Sequence, residues 1–168
     1  MKRVLLLLLT AVSLTAAAQS DFKFGYLSYQ AAIEAMPEYA TAQTSLTQLK
    51  TQYAAEQQRV ETEFNAKYEE FLDGQKDFPP TILQKRQTEL QELLDRNIAF
   101  KQQSQQLLAQ AEEEALKPLR TRLNTALAKV GAERGYAFIL NTDQNAAPYL
   151  NPALGEDVSA AVQEALSK

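Results

Sequence analysis

The residues with the clearest claim to chemistry are carboxylates: Glu112-Glu113-Glu114 and Glu69-Glu70 stand in runs. Such groups ligate hard cations or exchange protons in catalysis. Neighbouring carboxylates on a helix point in different directions, however, because only residues three or four apart share a face. With 0 His and 0 Cys, the chain also lacks the usual neutral-pH base and the thiol nucleophile. No catalytic residue, metal site or cofactor is assigned, and the chain is read as a non-enzyme whose acidic runs are solvated faces.

What remains for function is contact chemistry, and it clusters around the breaker Asp73-Gly74-Gln75-Lys76-Asp77-Phe78-Pro79-Pro80. Lys76, Lys85 and Arg86 there could steer an acidic partner, although each is worth under about 1 kcal/mol in ordinary salt and such charges often only solvate a turn. Phe64, Tyr68, Phe71 and Phe78 could touch an apolar partner or glue neighbouring helices together. Helical spacing favours the interior for Phe64 and Phe71 and leaves Tyr68 and Phe78 open. The candidate contact residues are therefore Tyr68, Phe78, Lys76, Lys85 and Arg86.

The element that must carry them runs from Pro37 to Pro118, two long helical patterns separated by that breaker. Folded there, the apolar residues of the two limbs face each other at a near-constant sum of residue numbers, about 154. Phe71 then meets Leu83, Phe64 meets Leu90, Val60 meets Leu94, Tyr53 meets Phe100 within one residue, and Leu46 meets Leu108. An antiparallel helical hairpin follows, with limbs of about 55 Å, too long to lie within so small a domain and so expected to project. Thr81 and Gln84 fit a capping box at the start of the second limb. The pattern lapses at Lys101-Gln102-Gln103-Ser104-Gln105-Gln106 and at the facing Ala54 to Arg59, where a bend or splay is expected because little apolar surface offsets the backbone entropy.

Phe22 to Tyr29 alternates in the period-2 manner of a strand, Gln30 to Met36 is a short helical turn, and Pro37 suits a helix start. Beyond the hairpin come Leu119, Leu123, Leu127 and Val130, with a kink expected at Pro118 and Gly131 or Gly135 ending the helix. Tyr136 to Leu140 is apolar throughout, as for a strand buried on both faces. Asn141 to Asn145 is a turn, Ala147 to Leu150 a short strand, and Asp157 the N-cap of a last amphipathic helix. The fold class is α+β, mainly α: residues 37–118 form a coiled-coil arm with its tip at 73–80, and residues 19–36 and 119–168 form a small β-containing body. So small a core is expected to be completed by oligomerisation, through Phe24, Tyr26, Leu27, Tyr136, Phe138, Ile139 and Leu140.

Met1-Lys2-Arg3, the apolar run Val4 to Leu14 and Ala16-Ala17-Ala18 describe a secretory leader at 1–18, expected to be cleaved after Ala18. Loss of Lys2 and Arg3 leaves 15 basic against 21 acidic residues, a formal charge of -6, which argues against nucleic acid as a partner.

A first strand ending in Tyr26-Leu27-Ser28-Tyr29, a long helical hairpin, and the run through Leu140-Asn141-Thr142-Asp143 and Ala147-Pro148-Tyr149 to Asp157-Val158-Ser159 together resemble the Skp/OmpH periplasmic chaperones. The resemblance implies a homotrimer whose strands build a shared body and whose three arms surround a cavity. It also implies a periplasmic holdase that binds unfolded outer-membrane proteins there without ATP or cofactor. Basic arm tips in that family suit anionic lipid, whereas Arg59 to Arg86 here holds five basic and six acidic residues, so no lipid or lipopolysaccharide site is assigned. The alternative reading is a coiled-coil spacer or adaptor that bridges folded envelope components.

Overall fold

The protein is described by a computed structural model over residues 22–167; the leader expected at 1–18 lies outside those residues. Two compact units emerge. Among the described residues, one comprises 22–36 together with 119–167, and the other is Pro37–Pro118.

The first unit is built on a three-stranded, all-parallel sheet in the order β2-β1-β3. Its strands are β1 (Phe24–Leu27), β2 (Ile139–Asn141) and β3 (Gly155–Asp157). Gly25 of β1 lies opposite Ile139 on one side and Glu156 on the other. Helix α1 (Tyr29–Glu34) follows β1 at once, N-capped by Ser28, whose side chain accepts the Ala31 N–H at 3.0 Å. The core is a helical stripe, Leu119, Leu123, Ala126 and Val130, meeting Ile33 and Met36, Phe24 and Leu27, and Val158, Val162 and Leu166 of the last helix, α4 (Ser159–Leu166). Leu123, Val158 and Val162 are fully excluded from solvent. The Arg122 guanidinium donates to the Leu166 carbonyl at 2.5 Å, satisfying a backbone acceptor that the end of α4 leaves open.

Several sequence expectations are corrected in this unit. The third strand is Gly155–Asp157, whereas Ala147 to Leu150 is irregular. Tyr136, Ala137 and Phe138 precede β2 as irregular chain with a bend at Ala137, and Phe138 is 43% exposed. β2 is an edge strand, so one chain covers only part of it. Asp157 ends β3 and accepts the Ser159 N–H at 2.9 Å from there, with Val158 standing between it and the helix.

The second unit is a helical hairpin. Helix α2 (Pro37–Gly74) supplies one limb, and the start of helix α3 (Pro80–Arg134) supplies the other. Pro37 and Pro80 each take the first helical position, where a missing N–H costs nothing. The Pro79 carbonyl receives the Ile82 and Leu83 N–H groups at 2.9 Å. Thr81 thus lies inside the first turn, and the cap expected there falls two residues earlier. Helix α3 continues through Pro118. It ends at Gly135, whose φ of 67° is the left-handed conformation of a C-terminal stop, with Tyr136 N–H returning to the Gly131 carbonyl at 3.0 Å.

Among the described residues of the hairpin, only Leu46, Ser104 and Leu116 are buried. Both limbs stay helical through the Gln-rich segment. There Ser104 is tucked in, its hydroxyl donating back to the Phe100 carbonyl at 2.6 Å, and a small side chain takes the position where no apolar one was available.

Candidate functional site

At the hairpin tip, Gly74 lets the chain turn beneath an aromatic ring. A Cβ at Gly74 would stand 2.6 Å from Phe78 Cζ, so only glycine admits the Phe78 ring, which also lies 6.5 Å centroid to centroid from Phe71. Phe78, in the turn, is thereby half-buried against the end of the first limb. Tyr68 stacks on Phe64 with centroids 6.0 Å apart and stays 45% exposed. Of the basic candidates, Lys85 and Arg86 both pair with Glu89, at 3.7 and 3.0 Å, whereas Lys76 makes no ion pair among the described residues. The tip charges largely satisfy one another along one helix, as do Arg59 with Glu56 and Glu63 and Lys67 with Glu70. Pairs this exposed add little stability.

Two hollows of different chemistry open between the limbs. The first, about 240 Å³, has an apolar floor of Phe71, Phe78, Leu90 and Leu93 and a rim that includes Glu63, Lys67, Glu70, Arg86, Glu89 and Arg96. The second, about 390 Å³, is a shallow groove lined by Phe64, Leu94, Ile98, Gln57, Asn65 and Asn97, together with Glu61 and Lys101. Leu94 and Ile98 are 38% and 48% exposed, so the pairing of Leu94 with Val60 expected from apolar matching does not bury Leu94. The Val60 carbonyl instead accepts a hydrogen bond from the Asn97 amide across the limbs at 3.1 Å. Sequence reasoning missed Asn97; its place among apolar residues at helical spacing was the available signal.

The residues assigned to the body divide by exposure. Phe24 and Leu27 are buried within the single chain, Tyr26, Tyr136, Ile139 and Leu140 are half-buried, and Phe138 is open, with its ring 5.6 Å from both Phe22 and Phe24. Leu127, Gly131, Tyr136, Phe138 and Ile139 line a further shallow apolar hollow of about 350 Å³. The Tyr136 ring passes over Gly25, where any Cβ would approach Tyr136 Cδ2 to 3.3 Å and Val158 Cγ1 to 2.8 Å. Having crossed β1 there, the Tyr136 hydroxyl donates to Glu156 on β3, the carboxylate that also pairs with Arg134. Desolvation, then this bond, pushes the Tyr136 hydroxyl above its ordinary pKa.

The run Asn141-Thr142-Asp143 proves to be a clasp on the start of α1. Asn141 Oδ1 accepts the Tyr29 N–H at 3.1 Å, while Asp143 accepts from the Ser28 hydroxyl at 2.5 Å and from the Gln30 N–H at 2.9 Å. The Ser28 bond, first, and the Gln30 bond hold the Asp143 carboxyl below the ordinary carboxylate range. These bonds join two segments more than 100 residues apart in sequence, which gives the Ser28-Tyr29 and Asn141-Thr142-Asp143 pieces of the sequence resemblance a shared physical purpose. Residues 23–166 match the family of outer membrane proteins described as OmpH-like. The chain belongs to the OmpH-like family.

That membership bears out the resemblance drawn from the strand, hairpin and clasp residues. The fold also matches the crystal structure of a candidate outer membrane chaperone (OmpH-like) from Caulobacter crescentus CB15. That match has a TM-score of 0.67 and 19% identity over 89% of this chain and 85% of the other. No curated protein sequence matches the chain. For an OmpH-like protein, the mainly α fold with long helices and a small sheet is the expected architecture. Among the described residues no His, Cys, Asp or Glu cluster is arranged to hold a metal ion, and no helix is long and apolar enough to cross a membrane.

Proposed function

We propose that this OmpH-like protein is a periplasmic holdase chaperone, exported by its leader and acting as a homotrimer. It holds unfolded outer-membrane proteins among the hairpins of three copies without ATP or catalysis. The observation that carries this reading is the number of large apolar side chains the hairpin leaves in solvent: Tyr68, Leu72, Ile82, Leu94, Ile98 and Leu107 are 38–48% exposed. Two limbs that bury only three residues between them over 37–118, yet display such a set, are better suited to weak contacts with a changing partner than to one fixed interface. The half-covered strand residues Tyr26, Tyr136, Ile139 and Leu140, with open Phe138, are the surface on which copies would join. Tyr68, Phe78, Lys76, Lys85 and Arg86 are the proposed contacts near the tip.

The test is direct. Mature protein is mixed with a urea-denatured outer-membrane β-barrel protein on dilution into buffer, and light scattering is followed. Suppression of aggregation near one trimer per client supports the reading. Unchanged aggregation, together with recovery of a folded envelope partner in a native pull-down, would favour the spacer.

A further inference from the structure

We infer that the groove lined by Phe64, Leu94, Ile98, Gln57, Asn65 and Asn97 is where the hairpin takes a single extended, uncharged stretch of polypeptide with alternating apolar side chains, an unfolded β-strand segment. This rests on the holdase reading above and says which face of the limb the client occupies.

Three observations converge on that occupant. The first is charge: the groove lining has one acid, Glu61, and one base, Lys101, and is otherwise amide and apolar. The other hollow, in contrast, is lined by seven charged residues, of which Glu63, Lys67, Glu70, Arg86 and Glu89 pair within their helices while Glu92 and Arg96 form no ion pair among the described residues. A neutral strand segment loses no solvated charge on entering the first and faces several in the second.

The second is spacing. Leu94 and Ile98 are one helical turn apart, about 6 Å along the axis. Side chains on one face of an extended strand recur every two residues, about 6.6 Å. An extended chain laid along the limb therefore sets successive apolar side chains beside Leu94 and Ile98, with Phe64 as the far wall.

The third is backbone chemistry. An unfolded strand carries an N–H and a C=O at every residue and needs partners for both when water is displaced. Asn97 donates to Val60 and keeps its Oδ1 for an incoming N–H, while the Asn65 side chain makes no hydrogen bond among the described residues and can offer both donor and acceptor. Amide side chains serve any sequence equally, which suits a site that must accept many clients.

Positions 96 and 98 give the test, because two residues on a helix lie about 200° apart around its axis and so face nearly opposite ways. Arg96 lines the charged hollow and Ile98 the neutral groove. A photo-crosslinking phenylalanine analogue is placed at each position in turn in the full mature protein, and a urea-denatured β-barrel membrane protein is added by dilution. The proposal expects client crosslinks several-fold stronger from 98 than from 96. A second arm measures binding of a fluorescent ten-residue peptide of alternating Leu and Thr. The double variant Leu94→Asn with Ile98→Asn should raise its Kd about tenfold, with unfolding unchanged because both side chains are exposed.

Crosslinking from 96 that equals or exceeds that from 98 overturns the proposal, as does unchanged peptide binding in the double variant. Crosslinks from 98 to a second copy without client also overturn it, since the groove is then already filled. The two levels of failure separate: protein that lets the client aggregate removes the holdase function and the groove with it. Protein that holds the client while 98 stays unlabelled removes the groove alone.

Discussion

The Asn97 side-chain amide donates to the Val60 backbone carbonyl at 3.1 Å, joining the second limb of the hairpin to the first. With only Leu46, Ser104 and Leu116 buried in this unit, one inter-limb polar contact carries more weight here than in a well-packed domain. A hydrogen bond of this kind adds about 1 kcal/mol. Asn97→Ala should therefore loosen the outer hairpin by about that amount. Hydrogen exchange should rise around residues 57–65 and 94–101 while α4 stays as protected as before.

The clasp on α1 has a pH dependence whose sign follows from Asp143. Its folded-state pKa lies below the unfolded value of about 4, because the Ser28 hydroxyl and the Gln30 N–H favour the carboxylate. Stability from this group is fully present above the unfolded value and is lost as pH falls through the folded one. Thermal unfolding of wild type should thus weaken more than that of Asp143→Asn as pH is lowered from 5 towards 2. Parallel curves for the two proteins would mean that the clasp contributes nothing through its charge.

Gly25 is held by its neighbours on three sides. A methyl group there meets Val158, Ile139 and Tyr136 at 2.8, 3.2 and 3.3 Å, and Val158 has no room to give because it is fully buried. Gly25→Ala should cost about 1–3 kcal/mol by overpacking, read as a lower urea midpoint. Tyr136→Phe, which removes only the hydroxyl bonded to Glu156, should cost less than Gly25→Ala.

Two leucines on the same helix should behave oppositely. Leu123 is 0% exposed and Leu94 38%, so Leu123→Ala should cost about 2–5 kcal/mol. Leu94→Ala should stay within about 1 kcal/mol of wild type. Chemical denaturation of the two variants side by side measures both.

The sequence made the long elements legible and the short ones only in part. Both hairpin limbs follow from apolar spacing and prolines, and the expected meeting of Tyr53 with Phe100 appears as rings 6.2 Å apart. Further out, the apolar sum gives no hint of the bond from Asn97 to the Val60 carbonyl; a polar contact to backbone leaves no trace in an apolar count. β1 was visible from its alternation, although only Phe24–Leu27 of the expected span is strand. β3 was not, since Gly155-Glu156-Asp157 has no apolar residue and is a strand only because β1 lends it a ladder. Tyr136 to Leu140 read as doubly buried, yet its strand portion lies at a sheet edge, a position that composition cannot distinguish from the centre. Asp143 read as part of a turn. Its clasp on Ser28 depends on a contact across 115 residues that no local pattern encodes.

Native mass spectrometry of the mature protein, alone and after dilution with a denatured β-barrel membrane protein, bears most directly on the proposed function. The account expects a species of three chains that gains the mass of one client and keeps the client soluble. A single chain that takes up no client at working concentration would contradict it.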